Sequence, residues 1–349
     1  MAYTTIDDPS AYFQTKIYTG NGSTQDITFD GNSNLQPDFL WLKGRSLAEG
    51  HTLQNSVSGV TKHLHSQNTD AEVTDTGIVT AFNSDGFSLG DEGDVNANTS
   101  TFVGWGWKTG TAFSNDASST SVGSIDSTGS VNTDAGFSII KWTGNDANAT
   151  VAHGLGAVPG MFIVKNLSNG STGWYVYHQS LGNTKHILLD TAAALVDDIN
   201  WNDTSPTSTV INLGGQTGSN GPSNSMLAYC FAEKQGYSKF GSYTGNGNAN
   251  GTFVYTGFKP AWIMIRDTAA RSWIILDNKR NTFNVVNNRL FPDSSDAQNT
   301  SVDAADFTAQ GFKIRSTNSS VGISGNTYIY MAFAEQPLVT STGVPTTAR

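Results

Sequence analysis

The amino-acid sequence predicts an all-β fold of three tandem β-sandwich or jelly-roll-like repeats, each of about 100 residues. Three observations support this prediction. Charged residues make up only 14% of the chain, and Gly, Ser, Thr, Asn and Asp, which favour turns and strand faces, take their place. Short apolar runs alternate with turn dipeptides such as Asn21-Gly22 and Asp85-Gly86. One pattern of landmarks recurs three times along the chain.

Length, charge and cysteine content exclude several classes of protein. A chain of 349 residues is longer than one typical domain and fits two or three. The net charge of −10 argues against a nucleic-acid partner, which needs clustered basic side chains. No apolar run is long enough for a membrane-inserted helix, and residues 1–15 lack the features of a secretory signal. The single cysteine, Cys230, rules out an intrachain disulfide and lies in an apolar run.

Each copy opens on the same short signature, which a proline follows. The signatures are Thr19-Gly20-Asn21, Thr143-Gly144-Asn145 and Thr244-Gly245-Asn246. The prolines, each at a similar distance from its glycine and each opening an apolar strand, are Pro37, Pro159 and Pro260. Because the order of these landmarks never changes, we interpret the three stretches as copies of one unit.

Later landmarks extend the repeat. A basic residue stands six positions after each proline, at Lys43, Lys165 and Arg266. A tryptophan follows in copies two and three, at Trp174 and Trp273. Each copy closes with a run that alternates small and large residues: 103–107, 227–231 and 329–333. The alternation is typical of β-strands, whose side chains point to opposite faces in turn.

These landmarks give the predicted domain boundaries. The predicted segments are an N-terminal arm (1–14), repeat 1 (15–111), a linker (112–135), repeat 2 (136–236), repeat 3 (237–337) and a C-terminal tail (338–349). The linker is rich in Ser, Thr, Asn, Asp and Gly, a composition that predicts a flexible segment. No spacer separates repeats 2 and 3, so we expect those two to pack as a rigid pair.

The strands follow from the apolar runs. Residues 39–42, 161–164 and 262–265 are continuous apolar runs typical of central strands that are buried on both faces. Residues 174–178 and 273–277 are further strand candidates. Helix is expected to be scarce, with one or two turns at 191–196 and 301–307.

One stretch suggests a carbohydrate site. Sugar sites place an aromatic face beside amide and carboxylate groups that hydrogen-bond hydroxyls. Trp201, followed by Asn202 and Asp203, stands in a polar stretch, and Tyr175 and Tyr177 share one face of a predicted strand. The alternative is that Trp201 caps a sandwich core. The remaining strand tryptophans are predicted to be core residues: Trp41, Trp105, Trp107, Trp262 and Trp273.

No catalytic, metal or cofactor site is predicted. Glu233 and Glu335 occupy matching positions in their repeats, which indicates a structural role rather than a catalytic pair. His63 and His65 would share a strand face but lack a third zinc ligand, and solvated side chains are expected. Residues 91–98 space oxygen ligands like a calcium loop but lack its glycine and its last glutamate, so they predict a β-turn. Calcium in another loop geometry is left open.

With the repeat in hand, the chain resembles a known group of proteins. The segments that carry the resemblance are 6–15, 35–43, 81–90, 241–247 and 277–280. They resemble a repeat-module family of uncharacterised structural, tail-fibre-like proteins of marine tailed bacteriophages, and the resemblance spans nearly the whole chain. One departure is Gly104 and Gly106 in the closing run, where the family usually carries larger residues; it bears on how tightly repeat 1 packs.

The resemblance implies a non-enzymatic protein of the virion surface, either a tail-fibre-like or a capsid fibre protein. Together with the composition, it predicts binding of host surface glycans, with the N-terminal arm and repeat 1 contacting other virion proteins. Repeats 2 and 3 would project outward. Trimers are common among the phage fibres that the chain resembles, but the sequence has no coiled-coil heptad or β-helix stalk to enforce one, so the oligomeric state is left open between a homotrimer and other states. One alternative is a capsid decoration or cement protein that stabilises the shell, and another is a polysaccharide depolymerase.

Overall fold

The computed structural model describes residues 2–346, and these residues are predominantly β, with 41% strand and 5% helix. The paired strands of the named sheets are antiparallel, which confirms the all-β prediction. Across residues 2–346, no helix has the length and apolar character needed to cross a membrane.

The strands are numbered along the chain. Repeat 1 contains β1 (Phe13–Thr19), β2 (Gln25–Ile27), β3 (Phe39–Gly44), β4 (His51–Asn55), β5 (Lys62–His63), β6 (Val73–Thr74), β7 (Val79–Asn83), β8 (Gly86–Leu89) and β9 (Thr101–Trp107). The next segment and repeat 2 contain β10 (Thr111–Asn115), β11 (Ser127–Asn132), β12 (Phe137–Thr143), β13 (Ala149–Ala152), β14 (Met161–Asn166), β15 (Trp174–His178), β16 (Lys185–Leu188), β17 (Val196–Asp197), β18 (Val210–Leu213) and β19 (Ser225–Phe231). Repeat 3 contains β20 (Ser238–Thr244), β21 (Phe253–Tyr255), β22 (Phe258–Asp267), β23 (Ile274–Asp277), β24 (Ala305–Thr308), β25 (Gly311–Ile314) and β26 (Thr327–Pro337).

Helices are short and lie between strands. They are α1 (Gly93–Asn96), α2 (Ala117–Thr120) and α3 (Thr217–Asn220), with 3₁₀ turns at Pro9–Ala11 and Ile199–Trp201. The helical turns predicted at 191–196 and 301–307 are wrong. Residues 305–308 form β24 instead, since Phe307 pairs with Phe312 across an antiparallel ladder. The turn predicted at 91–98 is also wrong in type, because α1 occupies it.

The same strand order appears in all three repeats. We call the four-stranded group the inner sheet: β1-β9-β3-β4, β12-β19-β14-β15 and β20-β26-β22-β23. We call the smaller group the outer sheet: β2-β8-β7, β13-β18 and β21-β25-β24. In repeat 2 the inner sheet is widened to eight strands by β10 and β11 on one side and by β16 and β17 on the other.

Glycine is required at the signature positions because a backbone carbonyl of another segment lies against each of them. A Cβ atom on Gly20 would lie 2.2 Å from Ala97 O, and one on Gly144 would lie 2.1 Å from Gly221 O. On Gly245 it would lie 2.2 Å from the carbonyl oxygen of residue 323. Because real Cβ atoms do not come so near, any larger residue would push the first strand away from the turn that precedes the last strand.

The glycines of the repeat 1 closing strand leave room for aromatic rings. A Cβ atom on Gly106 would lie 2.6 Å from Phe29 Cζ, and one on Gly104 would lie 2.9 Å from Leu42 Cδ2 and 3.2 Å from Phe87 Cζ. The space left by these two glycines is therefore occupied by side chains such as Phe29 and Phe87, which fill the core of repeat 1.

The inner sheets of the three repeats meet in one shared core. Alternating residues of β9 and β19 and a continuous run of β26 belong to it, and aromatic rings from different repeats touch there. Phe39 and Tyr229 have ring centroids 4.3 Å apart, and Phe333 lies 5.7 Å from Trp107 and 6.0 Å from Phe231. The opposite faces of repeats 1 and 2 pack on their outer sheets in separate clusters.

The repeated basic residues fasten each repeat to another. Lys43 Nζ donates to Ser295 O of repeat 3 at 3.2 Å, and Lys165 Nζ donates to Thr69 O of repeat 1 at 2.8 Å. The Arg266 guanidinium donates to the Ala193 carbonyl of repeat 2. The contacts run in a cycle, from repeat 1 to 3, from 3 to 2 and from 2 to 1.

The residue opposite each basic residue makes a second contact in the same cycle. Trp174 Nε1 donates to His65 O at 3.0 Å, and Trp273 Nε1 donates to Leu188 O at 2.8 Å. In repeat 1 this position is held by His51, which pairs with Lys43 across β3 and β4 as Trp174 pairs with Lys165. His51 Nε2 lies 2.9 Å from Phe291 O. The three repeats are thus interlocked, and repeats 2 and 3 are not a separate rigid pair.

The prediction that residues 112–135 form a flexible linker is wrong. Its strands β10 and β11 extend the inner sheet of repeat 2, with Val131 opposite Ser138 and Asn132 opposite Phe137. Thr109 Oγ1 donates to Ser130 Oγ at 2.7 Å, which ties the segment to the end of repeat 1. A polar composition does not prevent edge strands, because their backbone groups pair with the sheet.

The N-terminal arm packs against the body of the protein. Ile6 is buried in the shared core, Tyr3 Oη donates to Gly257 O at 2.6 Å, and the Asp7 carboxylate accepts from the backbone N–H of Ser341 at 2.6 Å. The arm and the tail therefore lie together against repeat 3. Met1 and residues 347–349 of the predicted arm and tail lie outside the described residues.

Candidate ligand-binding surface

The predicted sugar platform, Trp201, is a core residue. Its side chain is 0% exposed, and its ring meets Phe162 edge to face with centroids 4.8 Å apart. Its Nε1 donates to Lys185 O at 2.9 Å. The 3₁₀ turn at Ile199–Trp201 directs the ring inward although its sequence neighbours are polar. The prediction of an open sugar site at Trp201 is therefore wrong, and the core alternative is correct.

The other predicted site residues do not form an open site with Trp201. Tyr177 is buried and stacks on Phe162 with centroids 4.6 Å apart. Tyr175 shares its strand face, is half-buried, and covers Gly218 so closely that a Cβ atom there would lie 2.0 Å from the ring. Asn202 is half-buried and Asp203 is exposed, but both lie on the turn after the buried tryptophan. No aromatic face is open beside them.

His63 and His65 lie close together, but they differ from the prediction in their exposure. The rings of His63 and His65 lie 5.0 Å apart, as expected for one strand face. His63 is buried, so the expectation of a solvated side chain is wrong for it, and burial lowers its pKa to about 4. Residues 2–346 contain no group of three or more His, Cys, Asp or Glu side chains placed to hold a metal ion.

In the calcium-like stretch 91–98, the side chain of Asn96 is buried and serves the fold. Its Nδ2 donates to Gly90 O at 2.6 Å, and its Oδ1 accepts from the backbone N–H of Asn21 at 3.0 Å. Asn220 makes the matching contact in repeat 2, where its Nδ2 donates to Asn145 Oδ1 at 2.7 Å. These amides hold the asparagines of the signature against the turn before the closing strand.

A cavity of about 240 Å³ lies between repeats 1 and 3, and it carries carboxylates. Asp30 on its rim binds Lys279 Nζ at 2.7 Å and Lys16 Nζ at 3.2 Å, and these ion pairs help to lower the pKa of its carboxyl against the effect of burial. Glu335 pairs with Lys259. These two carboxylates are thus engaged by lysines, and Asp8, the third in the lining, accepts from the hydroxyls of Ser10 and Ser33.

Two carboxyl groups have a raised pKa, and both serve the interlock between repeats. Burial raises the pKa of Asp190 and of Asp293. Asp190 accepts from the backbone N–H of Trp174 at 2.7 Å, and Asp293 accepts from that of Trp273 at 3.1 Å. A raised pKa is one mark of a general acid, but these two groups are committed to backbone contacts.

The outer sheet of repeat 3 presents aromatic rings to solvent. Phe253 and Tyr255 of β21 are 47% and 53% exposed, while Val254 between them is buried. The alternation places both rings on the outward face, about 7 Å apart along the strand. Tyr3 of the N-terminal arm adds a third ring, with its Oη 3.5 Å from Tyr255 Oη. We call these three residues the aromatic strip.

Polar groups and an open backbone lie beside the aromatic strip. Lys313 pairs with Phe253 and Asp306 pairs with Lys313, so all three point outward. Gly311 stands opposite Tyr255 and leaves one side of that ring uncovered. A flat aromatic surface with neighbouring charged and hydroxyl-binding groups is suited to a sugar ring, which has an apolar face and a polar edge.

The other two outer sheets lack such a surface. In repeat 1 the outward residues Asp26, Ser88 and Asn83 are hydrogen-bonded to one another: Asn83 Nδ2 donates to Ser88 Oγ, and Ser88 Oγ donates to Asp26 Oδ1. In repeat 2 the pair on this face is Thr150 and Asn212, and Asn212 is buried, with its Nδ2 donating to Ser205 O at 2.8 Å. The aromatic strip therefore distinguishes repeat 3 within an otherwise repeated architecture.

Another exposed aromatic residue lies outside the sheets. Phe283 is 79% exposed at the edge of a cavity of about 310 Å³. The neighbouring amides are used by the fold, since Asn284 exchanges two hydrogen bonds with the backbone of Phe307 and the side-chain oxygen of Asn281 accepts from two backbone N–H groups. Few polar groups are left there for a ligand.

Sequence reasoning missed the aromatic strip. The alternation Phe253-Val254-Tyr255 was a usable signal, but a three-residue strand does not reveal which of its faces is covered. The part played by Tyr3 depends on a contact across 252 residues, which no local pattern encodes.

The comparisons with known proteins give a family without a function. Residues 8–337 match a family described as a domain of unknown function (DUF7483). No curated protein and no solved structure matches the chain.

Proposed function

Since the chain belongs to the DUF7483 family, whose description assigns no function, we propose its role from geometry: a non-enzymatic glycan-binding protein of a virion surface. The virion setting follows from the resemblance to phage structural proteins. Host surface glycans are the ligands proposed. The scaffold is proposed to be three tandem β-sandwich modules, which the shared strand order of the three repeats supports.

The aromatic strip carries the proposal. In a repeated architecture, the three outer sheets would be expected to look alike, yet only that of repeat 3 exposes rings on its outward face. A contiguous exposed apolar patch marks a candidate contact surface, and Phe253 with Tyr255 offers the flat apolar contact that sugar rings use. Lys313 supplies a donor for hydroxyl groups, and the ion pair of Asp306 with Arg315 lies beside it.

The carboxylates support binding rather than catalysis. Glycoside hydrolysis needs one carboxyl group as an acid and another as a base or nucleophile. Asp30 is held by two lysines, Glu335 is held by Lys259, and Asp190 and Asp293 bind backbone N–H groups inside the repeat interfaces. None of these four is left over for a hydrolytic pair.

The test removes the two exposed rings of β21. We expect the wild-type protein to bind members of an array of bacterial-surface oligosaccharides, and Phe253→Ala/Tyr255→Ala to bind them at least about tenfold more weakly, because aromatic anchors dominate such contacts. Phe283→Ala is the matched control, since it removes an exposed ring from another surface. Absence of binding by the wild-type protein, or equal loss in the control, would contradict the proposal.

A capsid decoration protein is the second candidate, and the cyclic interlock favours it. Hydrogen bonds from Lys43, Lys165 and Arg266 hold the three repeats as one block, which suits a part that stiffens a shell. In the array experiment, this candidate replaces the first if the wild-type protein ignores all glycans but binds isolated capsids and raises their heat resistance.

A further inference from the structure

A third cavity, of about 350 Å³, has a basic lining in a protein that is acidic overall. Its polar lining residues are Arg271, Ser272, Arg289, Asn318, Ser319 and Ser320. No carboxylate is among the residues that line it, although the chain carries a net charge of −10. The cavity is formed by repeat 3, with Ala192 of repeat 2 at its edge.

The guanidinium of Arg289 is buried without a counter-ion. Its side chain is 5% exposed. Nη1 donates to Ser320 Oγ at 3.2 Å, and Nη2 donates to Asn299 Oδ1 at 2.7 Å and to Ser301 Oγ at 3.3 Å. All three acceptors are neutral. Nε has no hydrogen-bond partner among the described residues, and Arg289 is in none of their ion pairs.

Arg280 shows how the same chain stabilises another buried arginine. Its Nε binds Asp277 Oδ2 at 2.5 Å, and both side chains are fully buried. A buried charge is unfavourable unless an opposite charge and hydrogen bonds compensate it. Burial lowers the pKa of Arg289, as expected of a cation that lacks such a partner. An anion in the cavity would supply for Arg289 what Asp277 supplies for Arg280.

We propose that this cavity is a binding site for a small oxyanion, a sulfate or a carboxylate group. Arg289 places its positive charge at the cavity and keeps one Nη1 N–H uncommitted, and Arg271, exposed at the rim, adds a second positive charge. The hydroxyl of Ser319, which also lines the cavity, can donate to a remaining oxygen, whereas the hydroxyl of Ser272 is hydrogen-bonded to Asp293.

The oxyanion has two sources, the free ion and an acidic sugar of a polysaccharide. Both present the same chemistry to the arginines. The site does not require the aromatic strip, because the two surfaces share no residue. Loss of sulfate binding and loss of glycan binding are therefore separate results.

The probe is inorganic sulfate, which is titrated into the protein in a calorimeter at constant ionic strength. Chloride at the same ionic strength is the reference anion. We expect saturable binding to the wild-type protein and about tenfold weaker binding to Arg271→Gln, the loss typical of one charge-assisted hydrogen bond. Lys108→Gln is the control, because it removes one positive charge from a half-exposed residue of repeat 1. Arg271 is chosen because its side chain contacts only the Ala270 carbonyl among the described residues, so the variant should fold.

Two further arms complete the test. Arg289→Lys keeps the charge but removes the guanidinium N–H groups, and we expect weaker sulfate binding, with the melting temperature followed as a check on folding. Sulfated, uronate and neutral oligosaccharides compete with sulfate. Competition by the acidic sugars alone identifies a polysaccharide source, and lack of competition identifies the free ion. No sulfate binding by the wild-type protein, or Arg271→Gln equal to Lys108→Gln, would overturn the proposal.

Discussion

His178 illustrates, at the scale of single residues, how a buried side chain is fixed in one protonation state. Its Nδ1 accepts from the backbone N–H of Ser180 at 3.2 Å, and its Nε2 therefore carries the proton and donates to Tyr330 O at 3.1 Å. The second bond joins β15 of repeat 2 to β26 of repeat 3. Burial lowers the pKa of this imidazole to about 4, whereas an unfolded histidine titrates near 6.5.

This shift predicts acid sensitivity with a definite sign. Because the folded state binds the proton less well than the unfolded state, the stability contribution is complete above about pH 6.5 and is lost as the pH falls towards 4. In His178→Gln, whose amide can make both hydrogen bonds, we expect the free energy of unfolding to fall less steeply over this range, by about one proton. Denaturant titrations from pH 7 to pH 4 measure the slopes.

Subtracting the pH slope of the variant's unfolding free energy from that of the wild-type protein leaves the contribution of His178. Asp190 and Asp293 have a raised pKa in the folded state, so their contribution has the opposite sign, being present at low pH and lost as the pH rises. Both proteins contain these groups, and the subtraction removes them. Equal slopes in wild type and variant would show that the imidazole is not held neutral.

At the scale of residues, the sequence identified several of the structurally important positions, but it did not predict the contacts that they make. Repetition alone picks out Gly20 and Lys43, but the carbonyl groups that they meet belong to distant loops. His51 was missed because a different residue type fills the same place in the other repeats. Trp201 was misjudged because polar neighbours in sequence say nothing about the direction in which a 3₁₀ turn points a ring.

At the scale of elements, the segment 112–135 shows where composition misleads. It is polar enough to be disordered, yet β11 lies between β10 and β12 in a ladder. Gly129 allows this pairing, because a Cβ atom there would lie 1.9 Å from Ile139 O. Phe113 on β10 packs on Gly154, which adds an apolar contact. Backbone pairing and two glycines replace the apolar face that a strand usually needs.

Hydrogen exchange distinguishes a strand from a linker in this segment. We expect the backbone amides of 127–132 that face β12 to exchange about as slowly as those of β12 itself, because they are hydrogen-bonded in an antiparallel ladder. Residues 246–250, an exposed turn, provide the fast reference. Mass spectrometry of exchanged peptides gives both rates. Equal exchange of 127–132 and 246–250 would restore the linker interpretation.

Central strands were predictable and outer strands were not, for one physical reason. The runs 39–42, 161–164 and 262–265 are buried on both faces, so every residue in them is apolar and the signal is dense. The outer strands are short, and one face meets solvent. Phe253–Tyr255 therefore carries a weak pattern although its exposed rings make the candidate surface.

At the scale of the whole molecule, the shared core determines how the chain unfolds. Repeats 1 and 2 each enclose an apolar cluster between the inner and outer sheets, as expected of sandwiches, but the other faces of all three inner sheets are also buried against one another. Phe333 of repeat 3 touches Phe13 of repeat 1 at 5.4 Å and Phe231 of repeat 2 at 6.0 Å. Loss of one repeat would expose the aromatic faces of the other two. Unfolding of one repeat is therefore coupled to unfolding of the others.

We expect a single calorimetric transition for the wild-type protein, with equal calorimetric and van't Hoff enthalpies. Phe333→Ala should lower the free energy of unfolding by about 3–5 kcal/mol, the range for loss of a buried phenylalanine, and should move the whole transition rather than split it. Phe283→Ala, which removes a ring that is 79% exposed, should change it by less than about 0.5 kcal/mol. Two or three separate transitions, of which Phe333→Ala shifts only one, would mean that the repeats are stable independently and that the shared core is only a contact between finished domains.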